Sequence, residues 1–359
     1  MPPPASTTAT TPVSALPLAT TVARIHAFLA RHTDRTAGDT LAALVAAGLD
    51  QPPLPGHGAT LLRWQILAAL AGHDLSLVKL YEGHTDALAI LAELGGPAPT
   101  PASRWGVWCA EAPGALRARH ATRASVDGMV VLRLDGRKSW CSGAAGLTHA
   151  LVSCRDGEQR PLLAAVALTQ PGVRVTDDGW HAVGMAGSAS VDVAFDEASA
   201  VQVGQPGAYL SRPGFWHGGA GIAACWYGAA RALALTLHQR LQAAPDGADP
   251  HRLAQLGRID IALAGSAALL RQAANDIDRM PGADAMALAL RARLAVEAAA
   301  SDVLALATRA LGAGPLCRDA WFARMAADLP VFLRQSHAEH DLAALGANLA
   351  RQESAPWAL

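Results

Sequence analysis

A change of periodicity in the middle of the chain constrains the fold more than any other feature. Between residues 105 and 196, apolar residues come in short runs separated by turn signals, which is typical of β-strands. Before and after this segment they recur at spacings of three and four, as in helices packed on one face. Because no long helical segment separates the short runs, a compact antiparallel sheet is expected rather than a parallel one. The sequence therefore predicts an α+β fold.

Segments rich in proline and glycine divide the chain into four predicted parts. Residues 1–15 are expected to form a flexible tail, since they lack the charged and apolar regions of a signal peptide. An N-terminal helical domain is predicted over 16–100, a central antiparallel β-domain over 101–205 and a C-terminal helical bundle over 206–359. Within the bundle, the last helix is expected to cover 318–347.

Composition argues against several classes of function. The net charge of -1 gives no basic face for nucleic acid. Five scattered cysteines without Cys-x-x-Cys spacing suit reduced thiols in the cytoplasm, and they predict neither a disulfide frame nor a zinc site. No uncharged apolar run is expected to be long enough to span a membrane. With 51% hydrophobic and 16% charged residues, much helix surface should be buried in the core or in subunit contacts.

Four segments, in order, resemble motifs of the acyl-CoA dehydrogenase family of flavoproteins. Val107-Trp-Cys-Ala-Glu-Ala-Pro-Gly-Ala resembles the family's segment ending in Thr-Glu-Pro-Gly-Ala-Gly-Ser, and Leu134-Asp-Gly-Arg-Lys-Ser-Trp-Cys-Ser-Gly-Ala resembles Gly-x-Lys-x-Trp-Ile-Thr-Asn. Gly184-Met-Ala-Gly-Ser with Val193-Ala-Phe-Asp resembles Gly-Met-Arg-x-Ser followed by Val-x-Phe-Asp, and Leu311-Gly-Ala-Gly resembles a late Gly-Gly-x-Gly. The resemblance implies the family's fold, FAD as cofactor and a homodimer or homotetramer. It also implies oxidation of a CH–CH bond beside the carbonyl of an acyl substrate, with or without CoA, and hydride transfer to flavin N5.

The same resemblance assigns a wall for the flavin. Trp140 can pack against the ring, and Ser142, two residues further along the strand, points to the same side and can bond the N5/O4 edge. The alternative, that Trp140 is an ordinary core aromatic, stays open. Glu111 is expected to fix its loop. The predicted cofactor contacts are Val107, Cys109, Ala110, Glu111, Trp140, Cys141, Ser142, Thr308, Gly312 and His337.

The family's catalytic glutamate has no counterpart in this sequence. Gln335 stands at its usual place, and glutamine cannot act as a general base. Some members carry the base near the start of the long helix after the β-domain, where this chain has His217-Gly-Gly. His217 is therefore either a substitute base, since imidazole titrates near neutral pH, or a packed helix-start histidine. The family's arginine motif for the flavin pyrophosphate of a neighbouring subunit is also replaced, with Arg240 as a partial substitute.

The C-terminal histidines leave alternatives open. His337 and His340 lie one turn apart, but no third ligand motif accompanies them, so no metal is predicted. Their surroundings resemble the C-terminal histidine region of flavin-dependent monooxygenases of the same fold, which use reduced flavin and oxygen. The catalytic candidates are thus His217, Gln335 and His337. A dehydrogenase is the first hypothesis, a monooxygenase the second and a non-catalytic acyl- or partner-binding protein the third, with the electron acceptor left open.

Overall fold

The computed structural model describes residues 18–33, 35–111, 116–126, 128–243, 249–354 and 356–358. The predicted tail, the end of the first flavin motif at 113–115 and the turn residue Asp127 lie outside these residues. Within them, helices precede and follow one sheet, so the predicted α+β architecture is confirmed.

Four helices form the N-terminal part of the protein. They are α1 (Leu18–Leu29), α2 (Ala37–Ala46), α3 (Thr60–His73) and α4 (Leu75–Leu94). Helix α4 begins where the Asp74 carboxylate accepts the N–H of Leu77 at 2.8 Å, and it ends at Gly95, whose φ of 68° is easy only for glycine. With 20 residues, α4 is roughly 30 Å long, and it runs between the sheet and the C-terminal helices.

Seven strands make one curled sheet with the order β1-β4-β2-β3-β7-β5. They are β1 (Trp105–Trp108), β2 (Arg117–Val126), β3 (Met129–Cys141), β4 (His149–Arg155), β5 (Pro161–Ala167), β6 (Val173–Val175) and β7 (Val191–Gln202). Strand β6 pairs with β7, and β4 also pairs with β5, which brings the two ends of the sheet together. The pairing is mostly antiparallel, as predicted. One departure is that β1 runs parallel to β4, because the β2–β3 hairpin lies between them in the chain.

The C-terminal part contains seven helices among the described residues. They are α5 (Ala208–Ser211), α6 (Gly214–Gln242), α7 (Pro250–Arg279), α8 (Met286–Leu311), α9 (Ala313–Arg318), α10 (Ala320–Leu333) and α11 (Glu339–Leu349). The single helix expected over 318–347 is wrong. The chain turns between α10 and α11, where Ala338 has a φ of 44° that an α-helix cannot include. This break places Gln335 and His337 in a turn.

Two helices, α6 and α7, are long and apolar enough by length and composition to cross a membrane. The expectation that no uncharged apolar run has this length is wrong, because residues 213–230 form one. Most of α6 is buried within the protein, where it packs on α3 and α8. Its glycines permit that packing, since a Cβ at Gly228 would overlap the backbone of Ala68 on α3.

Candidate functional site

The two predicted flavin motifs meet at the ends of β1 and β3. The indole Nε1 of Trp108 donates to the backbone oxygen of Ser142 at 3.2 Å. Trp140 is 50% exposed, and its φ of 60° is a left-handed conformation that tryptophan rarely adopts. It lies where the register of β3 with β7 shifts, between Lys138 and Cys141. Because a core aromatic would be buried, the alternative interpretation of Trp140 as core packing is wrong.

A chain of three serine hydroxyls, here called the serine chain, extends from this wall into the protein. Ser188 Oγ donates to the backbone oxygen of Met185 at 2.8 Å, so it must accept from Ser190 Oγ at 3.0 Å. The Ser190 hydroxyl has only one proton, which it donates to Ser188, so it must accept from Ser142 Oγ at 2.8 Å. The Ser142 hydroxyl therefore presents lone pairs, and no proton, to a ligand at the wall.

The loop after β1 is held in place by an ion pair. Ala110 and Glu111 are exposed, and the Glu111 carboxylate accepts from Arg155 at 2.9 Å, which agrees with the expected loop-fixing role. Burial raises the pKa of the Cys109 thiol to about 11, so this thiol is protonated at neutral pH. The Cys109 thiol is therefore not a charged ligand group, and the exposed Ala110 can offer only its backbone.

Two other predicted contacts are turned inward. Cys141 is fully buried, and its Sγ donates to the backbone oxygen of Lys138 at 3.2 Å, so only its backbone can serve a ligand. Val107 lies against α4, where a Cβ at Gly83 would be 3.8 Å from the Val107 nitrogen. The wall and α4 are therefore in direct contact.

The third motif fastens the β-domain to α10. The N–H of Met185 donates to the Asp328 carboxylate at 2.5 Å, and burial raises the pKa of Asp328. A Cβ on Gly184 would overlap the carbonyl of Ala327. This contact sets the position of α10, and hence of the turn that follows it, relative to the wall.

In the turn after α10, Gln335 and His337 are exposed and have few contacts, whereas the sequence suggested that both belong to the catalytic site. Gln335 is exposed, and its backbone oxygen accepts from Arg293 at 3.3 Å. The His337 side chain is 76% exposed and lies 3.5 Å from the Asp341 carboxylate, with His340 at 3.7 Å from the same oxygen. In the part of the chain that the structure describes, no cluster of three or more His, Cys, Asp or Glu is placed to hold a metal.

Arg293 is a site residue that the sequence analysis missed. It is buried and donates to the Gly219 carbonyl at 2.9 Å as well as to that of Gln335. Its guanidinium also lies 5.1 Å from the centre of the Trp226 ring. It thus joins the two places where the family puts its glutamate. In the sequence, the arginine stands out only as a charged residue within an alanine-rich helix. Its partners could not be predicted, because they are distant in sequence.

His217 is buried near the start of α6. A Cβ at Gly56 would lie 3.4 Å from its Cε1, so the ring faces the loop before α3. Burial lowers its pKa, so the imidazole is neutral at pH 7. His217 therefore has the protonation state of a base, but it lies in a cavity of its own, lined by α4, α6 and the loop.

His84, in contrast, has a structural role. The N–H of Trp105 donates to its Nδ1 at 3.1 Å, so the proton of the neutral ring is on Nε2, which faces Asp50 at 3.1 Å. The side chain is almost fully buried. His84 therefore ties α4 to the start of β1 and to the loop after α2.

Three carboxylates, Glu82, Asp86 and Glu93, lie along one stripe of α4. Lys79 pairs with Glu82 at 3.3 Å, and Arg212 pairs with Glu93 at 2.7 Å. Among the described residues, Asp86 has no hydrogen-bond partner for its buried Oδ1. Burial raises the pKa of Asp86 above 3.8, against the opposing charge of Arg212. An unpaired buried carboxylate costs stability, which is typical of functional sites.

Replacing Asp86 with asparagine is expected to stabilise the protein at pH 8 and to leave its stability unchanged below pH 3.8. The raised pKa means that stability falls as pH rises through it, by about 1.4 kcal/mol per pH unit between the unfolded and folded values. Urea unfolding at several pH values measures this difference. Glu93→Gln is the matched control, and it should destabilise at pH 8 because it removes a paired carboxylate. Destabilisation by Asp86→Asn at pH 8 would contradict the assignment.

Thr308 and Gly312, the remaining predicted cofactor contacts, lie at the end of α8 beside a groove of about 650 Å³. Arg240 and Arg318 both line this groove. At about 1.5 Å per residue along α6, Arg240 is roughly 35 Å from His217. Within one chain, the groove and the turn that Arg293 holds are thus at opposite ends of α6.

The sequence matches no protein-family model and no curated protein. Solved structures do match over nearly the whole chain. KijD3 in complex with FMN and dTDP-3-amino-2,3,6-trideoxy-4-keto-3-methyl-D-glucose is 20% identical over 96% of both chains, with a TM-score of 0.77. TdsC from Paenibacillus sp. A11-2 with FMN and indole is 17% identical over 94% of this chain and 98% of that one, with a TM-score of 0.78. Methanesulfinate monooxygenase MsuC from Pseudomonas fluorescens is 19% identical over 96% and 98%, with a TM-score of 0.72. The chain has the acyl-CoA dehydrogenase-like fold.

Proposed function

We propose that the protein is a flavin-dependent monooxygenase that uses reduced FMN and oxygen. The observation that carries this proposal is the combination of an accessible flavin wall with the groups at the two glutamate positions. At those two positions the chain has an exposed amide, a neutral imidazole and carbonyls held by Arg293, and neither position itself carries a carboxylate. Reduced flavin, when bound, supplies the two electrons with which one oxygen atom becomes water while the other enters the substrate. The similar structures of KijD3 and TdsC, both in complex with FMN, support the choice of a flavin reaction.

The residues at the wall fit a flavin. Trp140 is accessible to a flat ring, and Ala110 is exposed, so its backbone can bond a polar edge. FMN is favoured over FAD because the family's arginine motif for the pyrophosphate is replaced in this chain. In a homodimer, Arg240 and Arg318 of the groove would bind the phosphate of the flavin held by the other subunit. The proposal includes a cytoplasmic location, since all five cysteines are free thiols.

The serine chain makes a specific prediction about the flavin. N5 of oxidised flavin only accepts a hydrogen bond, whereas N5 of reduced flavin carries a proton, which matches the lone pairs of Ser142. Ser190→Ala returns a free proton to Ser142, so the preference for reduced over oxidised FMN is expected to fall by about fivefold, the equivalent of one hydrogen bond. Anaerobic titration with both forms measures this ratio. Ser266→Ala on α7, whose hydroxyl bonds only its own helix, should leave the ratio unchanged.

Dehydrogenation of an acyl thioester is the second candidate function, and Asp86 is the observation that favours it. A buried carboxylate with a raised pKa is a suitable base for an α-proton. Asp86 faces Gly218 on α6, beside the family's alternative base position. If this candidate is correct, a panel of acyl-CoAs will bleach the bound flavin without oxygen, and Asp86→Asn will abolish the bleaching.

Two measurements on the purified protein separate the candidates. Oxygen uptake that depends on reduced FMN, with no anaerobic bleaching by acyl-CoA, is the result expected of the monooxygenase. Bleaching by acyl-CoA would overturn that proposal in favour of the dehydrogenase. If the wild-type protein binds neither oxidised nor reduced flavin, and Trp140→Ala gives the same result in the flavin titration, only the non-catalytic hypothesis is left.

A further inference from the structure

A cavity of about 270 Å³ lies between the C-terminal half of α4, the start of α6 and the loop before α3. This volume is at the small end of ligand pockets, which usually hold about 300–1,000 Å³. The walls are largely apolar, and they are formed by Leu54, Pro55, Ala89, Ala92, Pro213 and Pro281.

Two residues that line this cavity, Arg212 and His217, each have a buried nitrogen atom without a partner. Nε of Arg212 and Nε2 of His217 form no hydrogen bond within the described residues, and both side chains are more than nine-tenths buried. Glu93 does not satisfy them, because one of its oxygens accepts from Arg212 Nη1 at 2.7 Å and the other from the N–H of Gly214 at 3.0 Å. Unpartnered buried polar atoms are costly, so these two nitrogen atoms indicate that a ligand completes the site.

The loop that closes the cavity is fixed by Asp278 of α7. The Asp278 carboxylate accepts from the N–H of Gly58 and the N–H of Thr60, each at 3.0 Å, and from the Thr60 hydroxyl at 2.6 Å. That hydroxyl in turn accepts from the N–H of Gly56 at 2.8 Å. The cavity is therefore held open by a pre-organised loop.

Helix α4 connects the cavity to the flavin wall. Gly83 contacts the wall at Val107, and Ala89 lines the cavity six residues later. At 1.5 Å per residue these positions are about 9 Å apart along the helix. Asp86 lies between them, about one turn from each. The cavity and the wall therefore contact the same helix, less than two turns apart.

We propose that His217 carries its proton on Nε2 and that this cavity binds a small uncharged molecule through a carbonyl oxygen, which accepts from Arg212 Nε and His217 Nε2. A carbonyl has two lone pairs and no proton, so it matches two donors. An anion is less suited, because the charge of Arg212 is already paired with Glu93. The role of this molecule as the oxygenated substrate rests on the proposed function, whereas its binding does not.

Calorimetric titration of the full-length, flavin-free protein with cyclohexanone and with methylenecyclohexane tests the proposal. The two probes have nearly the same shape, and only the ketone carries the oxygen. The ketone is expected to bind about tenfold more tightly. His217→Phe should remove that advantage, and His251→Phe, at an exposed position on α7, should retain it.

Ala92 is an exposed residue of the cavity wall, and Ala92→Leu provides a second variant that fills the cavity without altering its donors. It should abolish binding of both probes. Equal affinity for ketone and alkene, tighter binding of cyclohexanecarboxylate, or ketone binding that Ala92→Leu leaves unchanged would each overturn the proposal. Ketone binding without oxygen uptake in the presence of reduced FMN would overturn the proposed function and leave the cavity assignment in place.

Discussion

Replacing Arg293 with methionine is expected to lower the free energy of unfolding by about 2–4 kcal/mol. The substitution keeps much of the volume but leaves the carbonyls of Gly219 and Gln335 without a donor. Both carbonyls are only partly buried, so each one left unpaired costs at most about 1–3 kcal/mol. The stacking of the guanidinium on Trp226 is lost as well.

Urea unfolding measures this loss, with Arg291→Met as the matched control. Arg291 lies two residues away on α8 and is exposed, so its replacement should change stability by less than about 0.5 kcal/mol. The turn at Gln335 should also exchange its amide protons faster in Arg293→Met. Equal stability of the two variants would show that Arg293 does not hold the junction of α6 and α10.

Gly184→Ala is expected to destabilise the protein by about 1–3 kcal/mol and to weaken flavin binding. The added methyl group would overlap the carbonyl of Ala327 and press on the side chain of Val331, so the loop must move away from α10. That movement would break the hydrogen bond between Met185 and Asp328. The wall would then no longer be aligned with the turn that follows α10.

The matched control is Gly257→Ala on α7, where the added methyl group would have no atom within 4 Å apart from the backbone of its own helix and its chain neighbours. In a helix, alanine is favoured over glycine by about 1 kcal/mol, so this variant should be more stable than the wild type. Chemical unfolding and FMN titration of both variants provide the comparison. If Gly184→Ala bound FMN with unchanged affinity, the docking of the β-domain on α10 would not position the wall.

The fold was largely predictable because its signals are local. Apolar spacing along 75–94 predicts a helix, and the structure has α4 over Leu75–Leu94. The break between α10 and α11 was missed, since helical periodicity continues through it while a left-handed residue at Ala338 interrupts the backbone. The parallel pairing of β1 with β4 was also missed, because it depends on where β4 joins the sheet after the β2–β3 hairpin, which local patterns do not show.

The candidate site was predictable only in part. The motif containing Trp140 and Ser142 marked the wall, and the sequence alone excluded Gln335 as a base. Domain boundaries, subunit number and cellular location stay predictions. The role of His337 stays a prediction too, and the structure gives that side chain an exposed position beside Asp341.

By itself, the sequence determined the order of helical and β-parts, the flavin-type motifs and the absence of glutamate at the family's two positions. Only the tertiary structure decided that Arg293 joins those positions, that Asp86 is the unpaired carboxylate of α4, and that Arg212 and His217 share a cavity. The physical reason is that strand and helix patterns depend on neighbouring residues. The charge state and partners of a buried side chain depend on segments that packing brings together from far along the chain.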